Sequence, residues 1–265
     1  MERHPLLGTL LADTYRLDSL LHEGRRNDLF VAEDAERHRW VLKIPRDASN
    51  AETEILAREA AFLSAIDHPN VVAMQDIGAD GMQAYLALEA LEGETLAEAM
   101  ERLGAMEAHE VLTIFWQVLA GVKAMHEADV IHRDLRPRNV FLVTREQRPP
   151  IVKLIDFASG KLLRPDHPDT SEEPPYPIGA HRYMAPEQHR GEIAGPWVDV
   201  YSVGVMLYAA FVGELPEHGT RVSAHREVSP AIDEVVSRAL AEDRDERHAS
   251  AAELQEALTR AILVT

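Results

Sequence analysis

The stretch Val130-Ile131-His132-Arg133-Asp134-Leu135-Arg136-Pro137-Arg138-Asn139-Val140-Phe141-Leu142 constrains this chain more than any other. An apolar pair leads into a dense polar cluster, and an apolar run leads out. A second apolar run, Ile151-Val152-Lys153-Leu154-Ile155, follows a polar, proline-bearing turn and delivers Asp156 at its end. Two short runs joined in this way predict a hairpin. That hairpin would bring Asn139 and Asp156 to the same end of the ribbon, with two oxygen ligands converging on one hard cation. Magnesium suits such a pair, since it keeps several waters and takes only one or two protein carboxylates, with phosphates supplying the rest.

A second puzzle lies upstream. Ile55, Leu56, Phe62, Leu63 and Ile66 recur at helical spacing, and Glu59 falls in the middle of their stripe. A carboxylate on the buried face of a helix is costly unless a cation meets it. Trp40-Val41-Leu42-Lys43-Ile44 alternates as a strand, with Val41 and Lys43 on one face; on this pattern alone Lys43 reads as an exposed strand lysine.

Composition narrows the classes. With 46% apolar residues in 265, a sizeable core is available and wholesale disorder is excluded; the length fits one two-lobed domain or two small ones. The formal charge of −18 (27 basic minus 45 acidic) argues against nucleic acid or anionic membrane as a partner. No cysteine is present, which removes disulfides and thiolate chemistry and is compatible with a cytoplasmic location. No segment reaches the roughly 18–20 apolar residues that span a bilayer, so no membrane-spanning segment is expected. Val200 to Gly213 is too short and begins beside Asp199, which predicts a buried helix; Leu6 to Ala12 meets Asp13 without a cleavage pattern, which argues against a signal peptide.

His132-Arg133-Asp134-Leu135, with Asn139 closing the spacing, resembles the catalytic loop of protein kinases. Asp156-Phe157-Ala158 is similar to the D-F-G of that family, and Ala185-Pro186-Glu187 to its A-P-E. Leu7 to Leu17 resembles the lead-in of bacterial kinases of the eukaryotic-like Ser/Thr type, of which the chain looks like a divergent member. The resemblance covers essentially the whole chain. It implies an α+β, bilobal kinase-like fold: a small, mainly antiparallel β N-lobe with one key helix over residues 1–91, and a larger, mainly α-helical C-lobe over 92–265. It further implies ATP and Mg2+ as cofactors, a protein substrate, and transfer of the γ-phosphate to a Ser/Thr hydroxyl.

The roles it implies fall on particular residues. Asp134 would orient the substrate hydroxyl and accept its proton, Asn139 and Asp156 would hold magnesium, and Lys43, paired with Glu59, would hold the α and β phosphates. Leu21, Leu29, Val41, Leu88 and Phe141 would wall an adenine pocket, with Glu89 to Leu91 as the hinge that meets its edge. Asp199 would cap the catalytic loop, and Arg247 would pair with Glu187. Arg133 would meet a phosphate on the activation segment, where Thr170 and Ser171 are the available hydroxyls.

Five departures from the family's pattern suggest weakened transfer. In Leu21-His22-Glu23-Gly24-Arg25-Arg26-Asn27 only Gly24 remains of the three glycines that cradle phosphate. Asn27 tolerates left-handed backbone better than most residues, so the turn is expected to persist with a poorer amide cradle, and with Arg25 and Arg26 reaching phosphate as side-chain cations. On this reading, restoring glycine at His22 and Asn27 should tighten ATP binding. Ala158 replaces a glycine, Arg136 stands where Ser/Thr kinases usually carry a lysine, Ala180 replaces a threonine, and the run from Gly213 to Pro230 is short for a substrate-docking helix. A pseudokinase acting as a binding or scaffold module is the alternative, and a small-molecule phosphotransferase the second.

Overall fold

The alternation of Trp40 to Ile44 translates directly into two unlike faces of a sheet. The computed structural model describes residues 4–162, 180–217 and 219–263. They form two compact units, one of residues 1–67 and 72–92, the other of residues 68–71 and 93–265.

The first unit contains β1 (Leu10–Leu11), β2 (Tyr15–Glu23), β3 (Asn27–Glu33), β4 (Arg39–Pro45), α1 (Asn50–Ser64), β5 (Met74–Asp80) and β6 (Gln83–Glu89). The strands make one antiparallel sheet in the order β1-β2-β3-β4-β6-β5. Leu17, Phe30, Ala32, Leu42, Ile44, Tyr85 and Ala87 share one face and form its core, closed over by Leu6, Leu7 and Leu11 of the lead-in. The opposite face carries the cross-strand partners Leu29 and Lys43, then Val41 and Leu88. β1 and β5 stand at opposite ends of the strand order, yet the Ala12 amide donates to Asp80 Oδ2 at 2.9 Å, so the sheet curls until its ends meet. Leu56, Ala60, Phe62 and Leu63 are the buried apolar face of α1.

The second unit is mainly helical. It contains β7 (Gly93–Thr95), α2 (Leu96–Leu103), α3 (Ala108–Glu127), β8 (Val130–Ile131), β9 (Val140–Val143), β10 (Ile151–Leu154), β11 (Lys161–Leu162), α4 (Pro186–His189), α5 (Pro196–Val212), α6 (Pro230–Ala239) and α7 (Ala251–Leu263). Thr95 starts α2 with a reciprocal cap: its hydroxyl accepts from the Glu98 amide, and the Glu98 carboxylate accepts from the Thr95 amide. α3 presents Val111, Phe115, Val118, Leu119, Val122 and Met125 to the core, all fully buried. α5 is apolar all round, as a helix through the middle of a core must be, and it stops at Gly213, whose φ of 84° is the left-handed cap that glycine takes at least cost. Between α5 and α6 the described residues form only a 3-10 turn at Val222–Ala224. Arg226 secures this connection by donating to the carbonyls of Met106 and Phe211. No helix of the described residues is long and apolar enough to cross a membrane.

Candidate active site

The first unit supplies a buried ion pair. The third-turn residue of α1, Glu59, is 1% exposed, and its Oε2 and Oε1 lie 2.7 and 2.9 Å from Lys43 Nζ. Each charge answers the desolvation cost of the other, and removing either one alone would leave a buried charge at a cost of about 3–5 kcal/mol.

At the β2–β3 turn the structure departs from the sequence reading. Asn27 is not left-handed: it opens β3 in register with Pro45, and this pairing holds it extended. His22 is likewise a strand residue, opposite Leu29. Gly24 is required by close approach rather than by positive φ, because a Cβ there would sit 2.2 Å from the Asn27 carbonyl oxygen. Arg26 is drawn toward Glu52 at the start of α1, 3.7 Å away, whereas Arg25 is exposed and has no partner among the described residues. Of the predicted pocket walls in this unit, Leu29 and Val41 are half-buried and Leu88 is buried. Leu21 sits at a bulge in β2 and is 58% exposed. In the predicted hinge, Leu91 is half-buried, and the Glu89 carboxylate accepts from the Ala73 amide at 2.7 Å.

The second unit supplies the polar loop and the hairpin behind it. β9 and β10 pair antiparallel, Val140 opposite Leu154, and the Ile155 amide donates to the Asn139 carbonyl at 3.0 Å. Asn139 and Asp156 therefore leave the same end of the ribbon. Asn139 is 4% exposed, and its Nδ2 donates to the Asp134 carbonyl at 2.8 Å and lies 3.3 Å from Asp134 Oδ2. That bond fixes the amide, so its Oδ1 is left as the acceptor oxygen. Asp156 is exposed and holds a φ of 64°, a costly backbone state for a residue with a Cβ, while the next residue, Phe157, is fully buried against His132 at 5.0 Å between rings. Phe141, in β9, is half-buried.

Burial raises the pKa of Asp134, opposed by the Arg136 guanidinium and by His132 nearby and reinforced by Asp156. Arg136 Nε lies 3.7 Å from Asp134 Oδ1 and has no hydrogen-bond partner among the described residues, so its charge faces the carboxylate without being locked to it. A carboxylate with a raised pKa is the better proton acceptor, and the arrangement is suited to taking a proton from a hydroxyl.

Two further carboxylates shape this loop. Asp199, fully buried in the first turn of α5, accepts from the amides of His132 and Arg133 at 2.9 Å each and is joined at 2.9 Å by His126 Nε2. Burial opposes its ionisation, but the hydrogen bond from His126, the nearness of the His126 and His132 rings and the His132 amide together lower its pKa. Its grip holds Arg133 at a φ of 64°, from where Arg133 Nε donates to the Ser159 carbonyl at 2.9 Å. Gln188 of α4 adds a bond from Nε2 to the Arg133 carbonyl at 3.1 Å. Glu187 and Arg247 form a bidentate pair at 2.6 and 2.8 Å, both 1% exposed. The sequence reading missed His126 and Gln188, because nothing in their local spacing marks a contact with residues tens of positions away. Thr170 and Ser171 lie outside the described residues.

Comparison with known proteins agrees with this geometry. The chain is 31% identical over 282 residues to the serine/threonine-protein kinase pkn3 of Myxococcus xanthus, an alignment covering 94% of this chain and 51% of that protein. It is 30% identical over 274 residues to the serine/threonine-protein kinase PknB of Mycolicibacterium smegmatis, covering 94% of this chain and 43% of the other. It is 31% identical over 269 residues to the serine/threonine-protein kinase PknL of Mycobacterium tuberculosis, covering 94% and 66%. The chain thus spans about half the length of the first two of these curated relatives. A family model described as the protein kinase domain matches residues 23–262, nearly the whole chain, which therefore belongs to the protein kinase domain family.

Proposed function

We propose that the chain transfers the γ-phosphate of ATP to a Ser or Thr hydroxyl of a protein substrate, a reading supported by relatives named serine/threonine-protein kinases. The observation that carries this reading is the union of Asp134 and Asn139 at one end of the β9–β10 hairpin, with Asp156 leaving the same end. The residues fit magnesium: a buried amide whose nitrogen is already committed, and an exposed carboxylate, are two hard oxygen donors of the kind that cation takes. When bound, magnesium supplies charge neutralisation at the phosphate oxygens.

The remaining roles belong to this chain's own side chains. Asp134 orients the acceptor hydroxyl and takes its proton as the hydroxyl oxygen bonds to phosphorus and the bond from phosphorus to the leaving ADP oxygen breaks. Arg136 places a cation beside that carboxylate, and its guanidinium is available to the transferring group. Lys43, fixed by Glu59, holds the inner phosphates. Asp199 keeps the loop backbone in the shape that presents Asp134. The sharing of labour is testable by titrating ATP with and without magnesium. Asp134→Ala is expected to abolish transfer and leave ATP binding nearly intact, whereas Asp156→Ala is expected to remove the magnesium-dependent part of binding. Equal loss of ATP in both variants would refute this division of roles.

A further inference from the structure

Two missing glycines leave the phosphate-side turn without its usual freedom, and one side chain takes hold of it instead. Arg46, directly after β4, donates from Nη1 to the Gly24 carbonyl at 3.1 Å and from Nη2 to Glu23 Oε1 at 3.0 Å. Its backbone amide donates to the Arg26 carbonyl at 2.8 Å, and its Nε lies 3.6 Å from the buried Asp28 carboxylate. One residue therefore grips the turn at both of its ends. Among the described residues the backbone N–H groups of Gly24, Arg25 and Arg26 donate to nothing. In a planar trans peptide the N–H points opposite to the C=O, so with the Gly24 oxygen drawn onto Arg46 the Arg25 N–H is turned away from it. Unpaired amides beside an exposed, partnerless Arg25 are the elements of an oxyanion cradle.

We infer that Arg46 is a positioning residue for the nucleotide phosphates: it holds the turn from Gly24 to Arg26 with its amides unpaired, the task that the glycines at 22 and 27 would otherwise share. In a glycine-rich turn the backbone reaches phosphate because it is free to adapt; here it is shaped in advance by a guanidinium, and less ordering remains to be done on binding. Arg46 does not touch the reacting atoms in this scheme. Its effect reaches phosphate through the backbone of the turn.

The inference rests on the proposed ATP-dependent reaction, and isothermal titration separates the two. The probes are ATP with magnesium, and adenosine, which has no phosphates. Arg46→Ala is expected to weaken ATP about tenfold and leave adenosine unchanged, since two charge-assisted bonds at a partly exposed site are lost. Arg46→Lys, with one ammonium in place of a fork, is expected to recover only part of the loss. Glu23→Ala, which frees the guanidinium from one anchor without touching Gly24, is expected to cause a smaller loss in the same direction. A parent that binds ATP while Arg46→Ala binds it equally well, or loses ATP and adenosine in the same proportion, overturns the inference alone. A parent that binds neither ligand overturns the proposed function, and the inference with it.

Discussion

Arg247 offers the sharpest energetic test in the molecule, because every N–H of its guanidinium is spoken for. Nη1 donates to Glu187 Oε1 at 2.6 Å and to the Trp197 carbonyl at 3.4 Å; Nη2 donates to Glu187 Oε2 at 2.8 Å and to the Glu242 carbonyl at 3.0 Å. Nε donates to the Ala241 carbonyl at 2.7 Å, and the Tyr201 ring lies 4.8 Å beneath the plane. Five donors meet five acceptors on a side chain with no surface left to solvent. Glu187→Ala would leave the guanidinium buried and uncompensated, which costs about 3–5 kcal/mol. For a chain of this size that corresponds to a fall in Tm of roughly 6–20 °C. The double replacement Glu187→Leu with Arg247→Met removes both charges and should recover most of that loss, since apolar residues of similar volume often match a buried pair. It should still fall short of the parent by about 1–3 kcal/mol, because the Ala241 and Glu242 carbonyls lose their donor. Urea unfolding, followed by circular dichroism with the midpoint and slope compared across the three proteins, measures both differences. A Glu187→Ala protein within 1 kcal/mol of the parent would refute the claim that this pair is dry and its partner irreplaceable.

Two further outcomes follow from the site. His22→Gly with Asn27→Gly is now expected to weaken ATP binding about threefold or more, opposite to the expectation from sequence, because glycine would loosen two strand residues that flank a turn already held by Arg46; tighter binding by calorimetry would refute this. Burial raises the pKa of Asp134, so transfer should fail as pH drops through a value higher than that of an unperturbed aspartate, where the protonated acid no longer accepts. Arg136→Met removes a cation that opposes this rise and should move the acidic limb of the kcat/KM profile to higher pH; an unmoved limb would show that another group titrates there.

Much of the site was legible because its chemistry sits in short, fixed spacings or in a conflict within one element. Glu59 is of the second kind: a carboxylate in an apolar stripe demands a cation, and the resemblance to kinases points to Lys43 as that cation. The hairpin of Asn139 and Asp156 was legible because two apolar runs with a polar turn between them have few ways to pair. Arg46 and His126 were not. Each is a common residue type in an unremarkable setting, and its importance comes from partners that only the folded chain supplies, a turn carbonyl in one case and Asp199 across 73 positions in the other. Gly24 was read as part of a phosphate cradle, and the fold adds a second reason for it: a side chain there is excluded by the Asn27 carbonyl, a contact no local pattern encodes.

The lead-in has a consequence for where this folding unit begins. The match to the kinase-domain family model starts at residue 23, but Leu11, Tyr15 and Leu17, at 5%, 4% and 0% exposure, are interior members of the same core as Phe30 and Ile44. Fully burying a large apolar side chain contributes about 1.5–3 kcal/mol, so these three together supply about 5–9 kcal/mol. That is comparable to the whole net stability of an ordinary domain, roughly 5–15 kcal/mol. A cut at residue 23, where that match begins, would therefore keep every residue assigned to the proposed chemistry and still remove part of what holds the first unit folded.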